Sequence, residues 1–405
     1  MFKGLVLKAT LFAPLGSLVF VCTQLNDYTR TISSIHDEAS TPRVSLHGIS
    51  TTSSSDDSLD VKVSNDDHQT GNSLATIVTE ADIAKYTAWE TEAREQQTAF
   101  CEKLKQPNEK DKMANTIQVK VDTTRYGGTK YLMEIYHKSD IVSRNIRRTG
   151  FWDRVKTEDM IRRIKACAAS KNIESLSELT FVDVGGNVGW FTLVMASIGL
   201  NVITVEPMVP NLQLLRRSLC LPENRDLASR IILHAKGVSN VSSNCTVYSE
   251  VTNLGDGTIT CGDTPPPIGQ FKMVKRGQVP VMPLDDLIFL KAMPGRHVAA
   301  VKVDTEGHEA LVIEGGRRFF FDSGIALIFT EFNPTWIRSR SGREPLDFIR
   351  GFVDGGFIIE REAKDGGAGF IKYTKEEALN MANWPNGTSE IMLEHPVYMG
   401  SRASR

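Results

Sequence analysis

The chain has 405 residues, 41% of them hydrophobic and 24% charged, an ordinary composition for a globular protein. A formal net charge of −2 excludes a global basic field for nucleic acid. Six cysteines with no CxxC pair exclude a disulfide-dense scaffold and a zinc site of familiar spacing; Cys245 and Cys261, flanking a polar loop, are free to pair in an oxidising compartment.

Residues 1–25, "MFKGLVLKATLFAPLGSLVFVCTQL", place Lys3 and Lys8 before an apolar run from Ala9 to Cys22. A basic region followed by an apolar one reads as a targeting segment. The run falls short of the ~20 apolar residues of a full span. Counting back past Lys8, which can snorkel, gives a short signal-anchor. Basic residues favour the cytoplasmic face, so the remainder would be lumenal, as in the endoplasmic reticulum or Golgi. A cleaved signal on a secreted protein and a cytoplasmic chain are the alternatives. Residues 26–80 are rich in Ser, Thr and Asp and read as a disordered stem, and 81–115 have helical composition. The remainder, 116–400, reads as one catalytic domain. Asn240, Asn244 and Asn386 begin N-x-S/T sequons, which fit a lumen but also arise by chance.

From Thr180 short apolar β-rich runs alternate with helical stretches. "LTFVDVG", "NVITVEP", "RIILHAKGV", "HVAAVKVD" and "GIALIFTEF" predict strands; "WFTLVMASIG", "VPNLQLLRRSLC", "EALVIEGGRRFF" and "PLDFIRGFVDGG" predict helices, the second with Asn211 as N-cap. This alternation predicts an α/β fold: a mostly parallel sheet with helices on both faces. "FIIERE" and "SEIMLEHP" would close it as an antiparallel pair. Ligands bind such sheets at the carboxyl ends of the strands.

The first strand ends in Asp183 and enters Gly185-Gly186-Asn187-Val188-Gly189. Glycines there permit a tight turn and close backbone approach. Glu206 ends the second strand about 20 residues on, where an acid can accept hydrogen bonds from a ribose diol. The turn lacks the G-x-G-x-x-G spacing of a dinucleotide site, which disfavours an oxidoreductase. A structural turn with a surface glutamate, in a catalytically silent binding module, is the other reading.

The pattern D-x-G-x-N-x-G resembles the first motif of class I methyltransferases that use S-adenosylmethionine. With "VPVMPLDDLI", "VKVDTEGHEALVIEGG", "IALIFTEF" and the upstream "DIVSRNIRRTGFWD", it is similar to the FkbM family over roughly 120–335. The resemblance implies a Rossmann-like methyltransferase fold and methyl transfer from S-adenosylmethionine, usually to oxygen. The acceptor would be a glycan or a small molecule. By position Asp183, Gly185, Gly186, Asn187, Gly189, Glu206 and Gly237 would meet the cofactor, with Asp183 suited to its cationic tail. Asp304, Glu306 and His308 in "VDTEGHE" would serve the acceptor, and a histidine base there predicts an activity limb near pH ~6.5. No metal is assigned; Asp304, Glu331 and Asn333 as Mg²⁺ ligands are the alternative. Two stretches depart from the family pattern. "KGVSN" puts Asn240 where an aspartate is usual, which would place it in the cofactor pocket, and the proline-rich 261–277 is long enough to be an acceptor loop.

Overall fold

The computed structural model describes residues 79–106, 115–138, 140–262, 272–288, 297–363, 369–384 and 389–399. The predicted signal-anchor, nearly all of the stem, Asn386 and the centre of the proline-rich stretch lie outside these residues. Among the described residues no helix is long and apolar enough to cross a membrane.

In chain order, α1 (Glu80–Leu104) is followed by an antiparallel pair, β1 (Thr116–Asp122) and β2 (Lys130–Tyr136), then by α2 (Ile141–Thr149) and α3 (Arg154–Ser170). The alternation predicted from Thr180 then appears as β3 (Leu179–Val184), α4 (Trp190–Ser197), β4 (Asn201–Val205), α5 (Val209–Leu219) and β5 (Ile231–His234). Next come β6 (Gly237–Ser239), β7 (Ser243–Glu250), β8 (Gly257–Thr260) and β9 (Met273–Pro283). The chain returns through β10 (His297–Val303) and β11 (Leu327–Phe332). It ends in β12 (Ile358–Glu362), β13 (Phe370–Lys372) and β14 (Ser389–Glu394).

Eight strands form the main sheet in the order β13-β12-β14-β11-β10-β3-β4-β5. β11, β10, β3, β4 and β5 are parallel; β14 runs antiparallel between β11 and β12. The predicted antiparallel pair is therefore present as β12 and β14, and β13 adds an edge. The central strands are apolar throughout because both faces are buried. In β3 Leu179 and Phe181 enter one core with α3 and α4. Val182 and Val184 enter the other, with the helices Glu309–Gly315 and Pro345–Asp354. β4 and β11 divide their side chains between the same two cores.

The sequence reading needs three corrections. Pro210 lies in the first turn of α5 and Met208 is its cap residue, so Asn211 is inside the helix. Asn211 instead accepts from the Tyr136 hydroxyl (2.9 Å) and donates to the Gly255 carbonyl (3.1 Å). The single helix expected over 309–320 is two, Glu309–Gly315 and Arg317–Asp322, broken at Gly316. Residues 237–283, largely between the third and fourth predicted strands, hold a second sheet that was not predicted, β6-β9-β7-β8. Its inner face packs Cys245, Val247, Val279 and Val281 around Met208.

Two disulfides are present, Cys101–Cys220 and Cys245–Cys261, the second a pairing that the sequence allowed. The first ties α1 to the end of α5. Tyr86 of α1 also donates its hydroxyl to the Asp285 carbonyl at 2.5 Å.

Candidate active site

The sheet reverses its direction of growth between β3, which leads to β4 on one side, and β10, which sits on the other. A crevice opens at their carboxyl ends, where open α/β sheets bind ligands. Gly185 and Gly186 donate their backbone N–H groups to the Val205 carbonyl at 2.9 and 3.1 Å, curling the turn over β4. Gly185 has φ +85°, and a Cβ there would lie 1.9 Å from the Asp304 carbonyl oxygen. Gly189 has φ +93° and lies against Leu215 of α5; Asn187, at φ +50°, takes the same left-handed region. Only a bare backbone fits at Gly185.

Glu206 is buried at the end of β4. Its Oε2 accepts the Asn187 N–H and its Oε1 the Met208 N–H, both at 2.7 Å. Burial pushes its pKa up to about 7 against the pull of those two bonds. Gly185, Asn187, Glu206, Asp304, Glu306 and His308 all line one cleft. Val205, Met208, Val238 and Ile259 supply its apolar wall, with Gly255 from the β7–β8 connection and Gly257 from the start of β8.

Four of the expected cofactor residues lie outside the cleft lining: Gly186 and Gly189 remain within the turn, and Asp183 and Gly237 stand elsewhere. Asp183 is buried beneath the turn, outside the cleft lining, and accepts from the Thr192 hydroxyl at 2.6 Å. Its charge would be desolvated there; burial raises its pKa and Lys302 opposes the rise. Gly237 lies in β6 opposite Val281, and its neighbour Val238 reaches the cleft instead. Asn240 also lies outside the lining: its side-chain amide donates to Glu314 Oε2 at 3.1 Å.

Residues 304–308 form the far wall. Burial raises the Asp304 pKa, but Lys302, 3.0 Å away, and Lys156 outweigh it and hold the carboxyl below its usual range. Lys156, buried on α3, also binds Asp153 (2.9 Å) and Glu390 (2.5 Å). Glu306 has φ +55° and a pKa well above the usual, raised by burial and by the charges of Glu331, Asp256, Asp304 and Glu309. Arg340 donates to the Glu306 carbonyl at 2.5 Å while stacking 3.8 Å over the Trp336 ring. The Ser341 hydroxyl donates to the Gly307 carbonyl, also at 2.5 Å. Burial, and then Arg340, push the His308 imidazole down to about 4, so it is neutral at pH 7. An activity limb near 6.5 therefore does not follow from this histidine.

Glu309, Lys156, Lys302 and Arg340 were not found from sequence. Glu309 accepts from Thr305 N–H (2.7 Å), Thr305 Oγ1 (3.1 Å) and Gly307 N–H (3.2 Å), folding the loop back on the helix it begins. Its place in a helical first turn was the only signal. The carboxylates of Asp304, Glu309 and Glu331 lie within 4.8 Å of one another. Asn333, the third residue of the Mg²⁺ alternative, instead caps the turn Pro334–Trp336 by accepting from the Trp336 N–H at 3.1 Å.

Residues 183–359 match the family described as methyltransferase FkbM domain. No curated protein matches the chain. Among solved structures it is similar to the methyltransferase FkbM of Methylobacillus flagellatus, with 18% identity, 53% of this chain covered and a TM-score of 0.32. This chain spans 43% of that protein's length. An S-adenosylmethionine-dependent methyltransferase of Agrobacterium tumefaciens shows 12% identity over 71% of this chain and 72% of its own, with a TM-score of 0.32. The magnesium protoporphyrin IX methyltransferase of Synechocystis, solved with SAH bound, shows 10% identity over 63% and 87%, with a TM-score of 0.30. The strand order, not these overlaps, defines the fold.

Proposed function

Through residues 183–359 the chain belongs to the FkbM methyltransferase family, and from that premise we propose that it methylates a hydroxyl of a glycan or small-molecule acceptor. S-adenosylmethionine is the methyl donor. When bound, it supplies a methyl group on a cationic sulfur that leaves readily. The cleft fits it chemically. The Glu206 carboxylate would hold the ribose diol, and Met208, Val238 and Ile259 would flank the base. The acids at the other end complement a positive charge.

One contact carries the reading. Gly185 and the Asp304 backbone approach so closely that no side chain fits between them. The cofactor turn and the acid loop thus meet at the edge of the same cleft. Asp304, kept charged by Lys302 and Lys156, would accept a hydrogen bond from the acceptor hydroxyl and orient it. Glu306, whose raised pKa makes it the stronger base once ionised, would take the proton. His308 offers a neutral ring nitrogen beside them. Alignment can supply roughly 7–11 kcal/mol of such a barrier, and a positioned base about 10²–10⁴ in rate.

The proposed compartment is an oxidising lumen, with residues 1–25 as the anchor. Its support is the pair of disulfides and the placement of Lys3 and Lys8. Protease protection in intact microsomes checks it; digestion of the domain without detergent would place the chain on the cytosolic side. For the reaction, purified protein should be given cofactor with an isotopic methyl group and fractionated glycans and metabolites. Label recovered in an ether supports hydroxyl methylation. Label on nitrogen, or bound cofactor with no transfer to any fraction, overturns it.

A further inference from the structure

We propose that Asn244 is a site of N-linked glycosylation and that Asn240, four residues earlier, is not. Two sequons stand one residue apart in "NVSSNCT": Asn240-Val-Ser and Asn244-Cys-Thr. Sequence alone does not separate them, but the structure does.

β7 alternates its side chains between two faces. Cys245 and Val247 turn inward to the cluster around Met208, Val279 and Val281. Asn244 therefore turns outward, and it is exposed. Its cross-strand partner on β9 is Pro280, also exposed, and Gln278 two residues before that is exposed as well. Val241 stands nearby with 56% of its surface open to solvent, an apolar side chain that a glycan would shield. Met208 lines the cleft and lies against the inner face, so a sugar on Asn244 projects away from the reaction site.

Asn240 has no such room. Its side-chain nitrogen, the atom that would carry the sugar, donates to Glu314 Oε2 at 3.1 Å. The helix Glu309–Gly315 presses on the backbone beside it: a Cβ at Gly315 would lie 1.9 Å from the Ser239 carbonyl oxygen and 3.0 Å from Asn240 Cα.

The co-reactant is a polyprenyl-diphosphate-linked oligosaccharide of the secretory lumen. The Asn244 amide nitrogen forms a bond to the anomeric carbon as that carbon's bond to the diphosphate oxygen breaks. The polyprenyl diphosphate leaves with the electron pair, and the amide proton passes to a base of the transferase. The proposal rests on the lumenal reading, and the experiment separates the two.

The full chain is expressed in a eukaryotic secretory host, and its thiols and Asn244 peptides are read by mass spectrometry. Digestion with peptide-N-glycosidase in heavy-oxygen water should convert Asn244, and not Asn240, to labelled Asp. Asn244→Gln should lose one glycan from the gel mobility and Asn240→Gln none, with methyl transfer unchanged in Asn244→Gln. Formed disulfides with a bare Asn244, or a glycan on Asn240, overturn the proposal alone. Free Cys101 and Cys220 thiols with no glycan anywhere overturn the lumenal reading and the proposal with it.

Discussion

Glu206 is held by opposing forces: backbone N–H groups of Asn187 and Met208 favour its carboxylate, and burial disfavours it. Burial wins, giving a pKa of about 7 in the free protein. A ribose diol donates hydrogen bonds and so selects the charged form. Cofactor affinity should rise with pH up to about 7 and level off above it, losing close to tenfold per unit below. The free fold shows the opposite sign. A folded pKa above the unfolded value contributes stability at low pH that is lost as pH rises through about 7. Glu206→Gln should flatten the affinity profile and weaken binding by roughly 1.5–3 kcal/mol. Calorimetry across this range measures both, and a flat profile in the unmodified chain would contradict the assignment. In the acid loop, Glu306→Gln should cut turnover by about 10²–10⁴ with affinity nearly unchanged. The rate of the unmodified enzyme should climb with pH as the Glu306 carboxyl, raised by burial and its acidic neighbours, ionises. His308 is already neutral, with a pKa near 4. A limb at ~6.5 that vanished in His308→Ala would move the proton transfer from Glu306 to the histidine.

The elements meet at Gly185, where the end of β3 touches the end of β10. Gly185→Ala would meet a φ of +85° and a backbone oxygen 1.9 Å from the new carbon. The left-handed conformation alone costs about 1–2 kcal/mol. The oxygen belongs to main chain and cannot rotate aside, so Asp304 must shift. Gly150→Ala is the matched control: φ there is +78°, but nothing lies within 4 Å of a Cβ. Urea unfolding should show Gly185→Ala losing clearly more stability than Gly150→Ala, and only Gly185→Ala should lose affinity and turnover together. Equal losses would mean that the two loops yield freely. The turn was legible because glycines and an apolar strand are local signals. β3, β4, β10 and β11 were legible for the same reason: burial on both faces writes an uninterrupted apolar run. β7 and β8, "SNCTVYSE" and "GTIT", were not, since they are largely polar and lack such an uninterrupted apolar run. The supports of the acid loop were also hidden. Lys156 meets Glu390 from 234 positions away in the chain, a pairing that only the sheet creates. That Asp183 and Gly237 lie outside the cleft lining was hidden for a related reason: position along a motif does not say which way a residue faces.

Across the whole molecule, α1 is the described element that leans most on a covalent tie. Of its 25 residues only Tyr86 and Ala93 are buried. The ion pair Lys85–Asp286, at 2.8 Å, has both side chains well exposed and is worth no more than about 1 kcal/mol. Trp89 adds a cation–π contact with the Lys236 ammonium, 4.2 Å from the ring centre. Cys101–Cys220 therefore carries much of the attachment, and it closes a separation of 119 residues. Chain entropy for a loop that long corresponds to about 5 kcal/mol, against about 3 kcal/mol for the 16-residue separation of Cys245–Cys261. Replacing both cysteines of each pair with serine in turn should reproduce that order in denaturant unfolding. The first consequence of losing Cys101–Cys220 should be local. Amide exchange should accelerate along α1 while β3 and β10, in the centre of the sheet, keep their protection. Cofactor affinity should hold, because none of the cleft-lining residues belongs to α1. Were α1 to stay as protected as β3 without its disulfide, the few side chains it buries would be holding it, and the tie would be redundant.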